Sequence, residues 1–219
     1  MQIAELWVST DPKAWERALE RHWDFIKPQF FALAWWLDRL DLEMLREMDA
    51  RAWYYFLRDE YFRWKYTARY RYAKTTRLLK TYLDKGRLSE LDEIRDDLLM
   101  LDPSDVRTAL AIAERIHGLG TAGASGLLAL MYPQSFGMVD QFAVKALREV
   151  PALPEVAALN RMNPESLTTK DGVVLIEIYR RKAGELNRMF QAAVWTPRKI
   201  DKVLWTYGRP SNQEDVRGE

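Results

Sequence analysis

The sequence predicts an all-α protein, and three observations carry that reading. A capping residue followed by proline recurs along the chain, at Asp11-Pro12, Asp102-Pro103 and Thr196-Pro197. Between these signals apolar residues repeat at three- and four-residue spacing, the period of a helix face. Strand-like alternation is almost absent.

The elements follow in order. Asp11 offers a capping oxygen, Pro12 suits the first helical position, and Trp15, Ala18 and Leu19 continue an apolar stripe. Pro28 opens a second apolar helix through Trp35, Trp36 and Leu37. A short helix is expected over 42–48 and a longer, aromatic one from 50 to about 66. Leu91, Ile94, Leu98 and Leu101 place another over 89–101. Asp102-Pro103 repeats the cap signal, with Val106, Leu110, Ile112, Ala113 and Ile116 behind it. Later helices are expected over 122–131, 141–150, 171–192 and 197–207, the last bracketed by Thr196, Pro197 and Gly208. The one β-like run, Gly172 to Ile176, lies among charges at helical spacing and reads as helix. Residues 210–219 are polar and expected to form a flexible tail.

Composition narrows the function. A chain of 219 residues builds one domain, or two small lobes sharing a core, and the expectation is a single compact unit. With 48% apolar and 30% charged residues it has the balance of a globular protein. Its longest apolar run, near Phe30 to Leu37, ends at Asp38 and is too short for a membrane span. The first residues lack a basic start and apolar stretch, so a cytoplasmic protein without membrane contact is expected. No cysteine is present, which excludes disulfides, thiolate zinc sites, iron–sulfur clusters and cysteine nucleophiles. His22 and His117 lie too far apart in sequence to suggest a histidine metal site or a serine triad.

The net charge of +1 hides segregation. Residues 1–60 hold eight Lys/Arg against twelve Asp/Glu, residues 63–87 nine against one, and residues 88–107 two against seven. The local nets are −4, +8 and −5, so a polyanion-binding surface is possible on a nearly neutral chain. Within the basic block, residues 63–72 interleave Arg63, Lys65, Arg69 and Arg71 with aromatic residues. Such a segment can neutralise phosphates and stack on an unpaired base; equally, its aromatics can be core and its cations solvated.

One stretch differs from the rest. After Ile116 and His117, Gly118-Leu119-Gly120 interrupts the helical pattern, and Thr121, Ala122, Gly123, Ala124, Ser125 and Gly126 begin a small-residue helix. Glycines allow a sharp turn, and the second helix then presents free amides and the positive end of its dipole to an anion. A phosphate could dock on Gly118, Leu119, Gly120, Thr121 and Ala122 without a side-chain charge; the plain alternative is a tight turn. Beyond that helix, Met138-Val139-Asp140 opens another, which carries Lys145 as a phosphate contact or a solvated charge.

This arrangement resembles the helix-hairpin-helix DNA glycosylase superfamily. The family motif runs Leu-Pro-Gly-(apolar)-Gly, a small-residue helix, a loop, and Val-Asp opening a helix. Here Ile116-His117-Gly118-Leu119-Gly120 and Val139-Asp140 stand in those places, with Asp140 twenty positions after Gly120. The likeness covers about forty residues, 113–150. It implies two helical lobes, one holding the hairpin and Asp-bearing helix (about 103–150), the other built from 1–102 and 151–207. A cleft between them would receive a nucleotide turned out of double-stranded DNA.

The resemblance implies further roles. Asp140 would be catalytic, stabilising the cationic sugar as a damaged or modified base departs and orienting the attacking water. Its plain alternative is an N-cap. Bifunctional members carry a lysine two residues after the second glycine, where this chain has Ala122, so hydrolysis without strand cleavage is implied: a monofunctional DNA glycosylase of base excision repair. A sodium or potassium ion on the backbone carbonyls of Glu114, Ile116 and Leu119 would be the only cofactor. His117 replaces the usual proline, and Gln141 and Phe142 depart from the family, so pocket details do not transfer. The rival readings are a DNA-binding module without catalysis and a helical protein-interaction domain; a monomer is expected. Residues 64–67 and 196–201 stand out without an assignable role.

Overall fold

Short side-chain oxygens at the N-cap set half of the helix starts. In the computed structural model, which describes residues 1–151 and 153–209, Asp11, Asp41, Asp49, Asp105, Asp140, Thr168 and Thr196 each accept a first-turn amide. The expected tail, 210–219, lies outside the described residues.

The chain is all-α, with no strand among the described residues. Its helices are α1 (Ile3–Trp7), α2 (Pro12–Glu20), α3 (Pro28–Leu37), α4 (Leu42–Glu47), α5 (Ala50–Tyr55), α6 (Arg63–Lys65) and α7 (Arg69–Asp84). There follow α8 (Leu88–Met100), α9 (Val106–Glu114), α10 (Thr121–Met131), α11 (Gln141–Arg148), α12 (Val156–Arg161), α13 (Thr169–Met189) and α14 (Pro197–Gly208). A 3₁₀ turn spans Trp23–Phe25, and a π-helical stretch, Phe56–Phe62, joins α5 to α6. No helix among the described residues is long and apolar enough to cross a membrane.

Several boundaries differ from the sequence reading. The helix after Asp102-Pro103 starts at Val106, because Asp105 caps it through the Thr108 amide at 3.0 Å. Asp102 instead closes a small turn on the Ser104 amide at 2.8 Å. The helix expected over 50–66 holds the π-helical stretch at its middle, and the basic block beyond it, to which no helix was assigned, forms α7. The Gly172–Ile176 run is helical, inside α13.

One continuous apolar cluster joins the molecule, from Ile3 in α1 to Leu204 in α14. Tryptophans knit the chain ends into it. Trp15 lies 6.1 Å from Trp7 and 5.7 Å from Trp195 between ring centres, and Lys182 of α13 donates to the Trp7 carbonyl at 2.7 Å. α9 and α10 form a helical hairpin, and α13 closes against it. Glu114 ties the three together, accepting from the Thr121 hydroxyl at 2.7 Å and the Thr169 hydroxyl at 3.1 Å. α14 packs on α11 and α13, which puts its first turn beside the loop that leads to Asp140.

Candidate functional site

The geometry of the site starts from that loop. Asp140 caps α11, its Oδ1 accepting the Phe142 amide at 2.8 Å. The residues before it are held at three points. Asp201 of α14 accepts the Met138 amide at 2.6 Å, Ser125 of α10 accepts the Val139 amide at 2.8 Å, and Tyr179 of α13 donates to the Met138 carbonyl at 3.2 Å. Three different helices thus fix where the Asp140 carboxylate stands.

Asp140 lines a cavity of about 330 Å³, at the small end of the range for ligand pockets, about 300–1,000 Å³. Phe25, Phe30, Trp64, Phe142 and Trp205 form apolar parts of the wall. Phe25 and Phe142 both meet Trp205 edge to face, at 6.3 and 6.4 Å. Lys27, Lys65, Arg71, Arg198 and Arg209 also line it, against two carboxylates, Asp140 and Asp201. An aromatic chamber with surplus positive charge suits a flat, anionic or phosphate-bearing ligand.

Arg198 and Asp201 of the wall belong to a buried ionic cluster. Asp201, 3% exposed, pairs with Arg198 at 2.7 Å, and Lys202 pairs with Asp38 at 2.6 Å. Burial raises the Asp201 carboxyl to about 6, although Arg198, the Met138 amide, Lys202 and Lys65 all pull it back. Burial works against ionisation of Asp38 too, but Arg198 and Lys202 outweigh it and hold that carboxyl below its usual range. Burial, then the charges of Arg198 and Lys202, lower His22 to about 3, and its buried Nδ1 has no hydrogen-bond partner among the described residues. His22 is therefore a neutral ring at physiological pH, packed 5.0 Å from Trp205.

The sequence-derived candidates divide into two groups. Arg63, Arg69, Arg71 and Lys145 are exposed, with Arg71 at the cavity rim and Lys145 over the Phe142 ring at 5.3 Å. Lys65 turns inward: its Nζ lies 2.6 Å from Met138 Sδ, on the cavity wall. Burial lowers it to about 8, although Asp140 and Asp201 favour its charge. The small face of α10 admits this segment. A Cβ on Gly126 would stand 2.7 Å from the Tyr61 hydroxyl and 3.4 Å from Lys65 Nζ, and Tyr61 donates to the Gly123 carbonyl.

At the hairpin turn, Gly118 has φ +100° and Gly120 caps α10 with no side-chain hydrogen bond, leaving first-turn amides for an external acceptor. Gly120 is exposed, Gly118 and Ala122 are half-buried, and Leu119 and Thr121 are buried. The carbonyls of Glu114, Ile116 and Leu119 follow the same turn. Oxygen donors of this kind fit a hard monovalent cation, and Ile116, which already accepts the Leu119 amide at 3.0 Å, keeps a second lone pair.

Sequence reasoning gave no site role to His22, Arg198, Asp201 or Trp205, although residues 196–201 stood out. A signal existed for three of them: residues 198, 201 and 205 recur at three- and four-residue spacing behind a strong cap, marking one face of α14. Residues 64–67 meet that face, with the Arg198 guanidinium 5.7 Å from the Trp64 ring centre. Comparison with protein-family models, with curated proteins and with solved structures finds no match.

Proposed function

We propose that the cavity receives a nucleotide turned out of duplex DNA, and that Asp140 serves hydrolysis of the N-glycosidic bond of a damaged or modified base. The observation that carries this reading is the placement of a clamped carboxylate at an aromatic, cation-rimmed cavity of nucleobase size. The fold implied is the helix-hairpin-helix glycosylase type, with the α9–α10 hairpin resting on backbone phosphate and, in the same reading, a monovalent cation on the Glu114, Ile116 and Leu119 carbonyls holding the turn.

The chain's own groups would divide the work. Phe25, Trp64, Phe142 and Trp205 offer apolar and π surfaces to the base, replacing the stacking it loses on leaving the duplex. As the glycosidic bond breaks, its electron pair leaves with the base and positive charge develops on the sugar. Asp140 stabilises that charge and accepts a proton from the water that adds at the sugar carbon. Ala122 brings no amine to this step.

Base release from duplexes carrying oxidised, alkylated, deaminated or bulky-modified bases tests the reading. Asp140→Asn keeps an oxygen for the Phe142 amide but removes the charge, so release should fall on the order of a hundredfold or more while duplex affinity holds. Equal rates for the two proteins would remove Asp140 from the mechanism. No release from any duplex would favour a DNA-binding module without catalysis. A borohydride-trapped adduct mapped to Lys65 would replace hydrolysis by water with amine capture of the sugar.

A further inference from the structure

α7 runs between the two features that the proposed reading requires. Arg71, in its first turn, lines the cavity rim. Toward its other end, the Thr81 hydroxyl meets His117 Nδ1 at 2.8 Å and the Tyr82 ring stacks on His117 at 4.3 Å. Tyr82 also donates to the Arg115 carbonyl at 3.0 Å. The α9–α10 turn is therefore fastened to α7 by side chains on one flank of the helix. From Arg71 to Thr81 the helix rises about 15 Å, the axial length of roughly four base pairs at 3.4 Å each.

The charge on α7 changes character along that length. Past the helix end, Lys85 is exposed with no ion pair among the described residues and Arg87 pairs with Glu90; at the hairpin contact Lys80 pairs with Asp84 at 2.9 Å. Before it, Arg69, Arg71, Lys74 and Arg77 are exposed and form no ion pair among the described residues. Lys74 and Arg77 are three residues apart, so they share a face, and Thr81 lies four further along on the same side. Thr75, Leu79 and Tyr82 anchor the opposite face in the core.

We infer that the exposed face of α7 is a track for the backbone of duplex DNA, with Lys74 and Arg77 holding phosphates between the cavity and the hairpin. The identity of the polyanion rests on the proposed function; the track itself requires no chemistry at Asp140. Both side chains are exposed, and neither takes part in the cavity.

The test is the salt dependence of binding to an unmodified duplex, which needs no base release and so can succeed where the proposed reaction fails. Wild type is compared with Lys74→Ala/Arg77→Ala and with a control, Lys13→Ala/Arg161→Ala, which removes two exposed cations from α2 and α12. Losing two phosphate contacts should lower the slope of log affinity against log salt by about 1.8. Between 50 and 200 mM salt, wild type should then lose about twelvefold more affinity than the α7 variant. The control should keep the wild-type slope. An unchanged slope in the α7 variant, or an equal drop in the control, overturns the track. Tighter binding to single-stranded RNA or heparin than to the duplex would overturn the choice of occupant.

Discussion

At Gly118 the backbone takes φ +100°, and the Thr75 carbonyl of α7 stands 2.9 Å from where a Cβ would be built. Gly120, two residues on, has φ −105° and open space around it. The sequence presents the two as equivalent members of one Gly-x-Gly, because nothing local to either records that α7 comes back over the turn. Their substitutions should separate. Gly118→Ala combines backbone strain with a collision and should cost about 1–3 kcal/mol, read as a lowered Tm. Gly120→Val should leave Tm nearly unchanged, because no side chain or backbone lies in its way. It should nonetheless weaken duplex binding, since its side chain would stand over the uncapped amides of α10. Full affinity in folded Gly120→Val would show that no phosphate uses those amides. Asp140 was legible for a similar local reason: a cap ahead of an apolar stripe is written in neighbouring residues. Asp201, which holds the loop before Asp140 through the Met138 amide, was not, because 61 positions separate it from Asp140.

Among the elements, those bounded by caps and carrying clear stripes, such as α11 and α14, follow from the sequence to within a few residues. α7 did not, because Thr75, Leu79 and Tyr82 are its only buried positions and its basic-aromatic texture hides their period. The π-helical stretch was equally hidden, since its register depends on what it packs against. Tyr61 and Lys65, from this region, close over the small face of α10 at Gly126. That packing predicts a coupling. Gly126→Ala alone places a methyl 2.7 Å from the Tyr61 hydroxyl and should destabilise by about 1–3 kcal/mol. Tyr61→Phe alone loses the bond to the Gly123 carbonyl, at roughly 1 kcal/mol. The double variant should cost less than the two together, by about 0.5 kcal/mol or more, because the hydroxyl that collides is gone. Simple additivity in denaturant melts would mean that Tyr61 and α10 do not meet in this way.

Across the whole molecule, near-neutral net charge conceals one basic surface and one buried ionic cluster, and the cluster makes stability depend on pH in two opposing directions. His22 titrates near 3 in the folded chain and near 6.5 when unfolded, so the unfolded state binds the extra proton between those values. Its contribution is present above about 6.5 and lost as pH falls. Asp201 titrates near 6 folded and near 3.8 unfolded, so the folded state holds the extra proton in that window. Its contribution is present below about 3.8 and lost as pH rises through 6. Between pH 4 and 6 the two nearly cancel, each changing by about 1 kcal/mol per pH unit with opposite sign. Paired variants expose them. The stability of wild type minus that of His22→Phe should rise from pH 4 to 6.5 and then level off. Wild type minus Asp201→Asn should fall from pH 4 to 6 and then level off. Chemical denaturation at half-unit intervals of pH reads both curves. A flat first difference would mean that His22 reaches solvent when folded; a flat second would mean that Asp201 is charged throughout. Above pH 6, Asp201 is an anion held in the interior by Arg198 and the Met138 amide, and this is the state in which it fixes the loop carrying Asp140. Any activity of the cavity that depends on that loop should therefore decline below about pH 6 in wild type and lose this acid limb in Asp201→Asn.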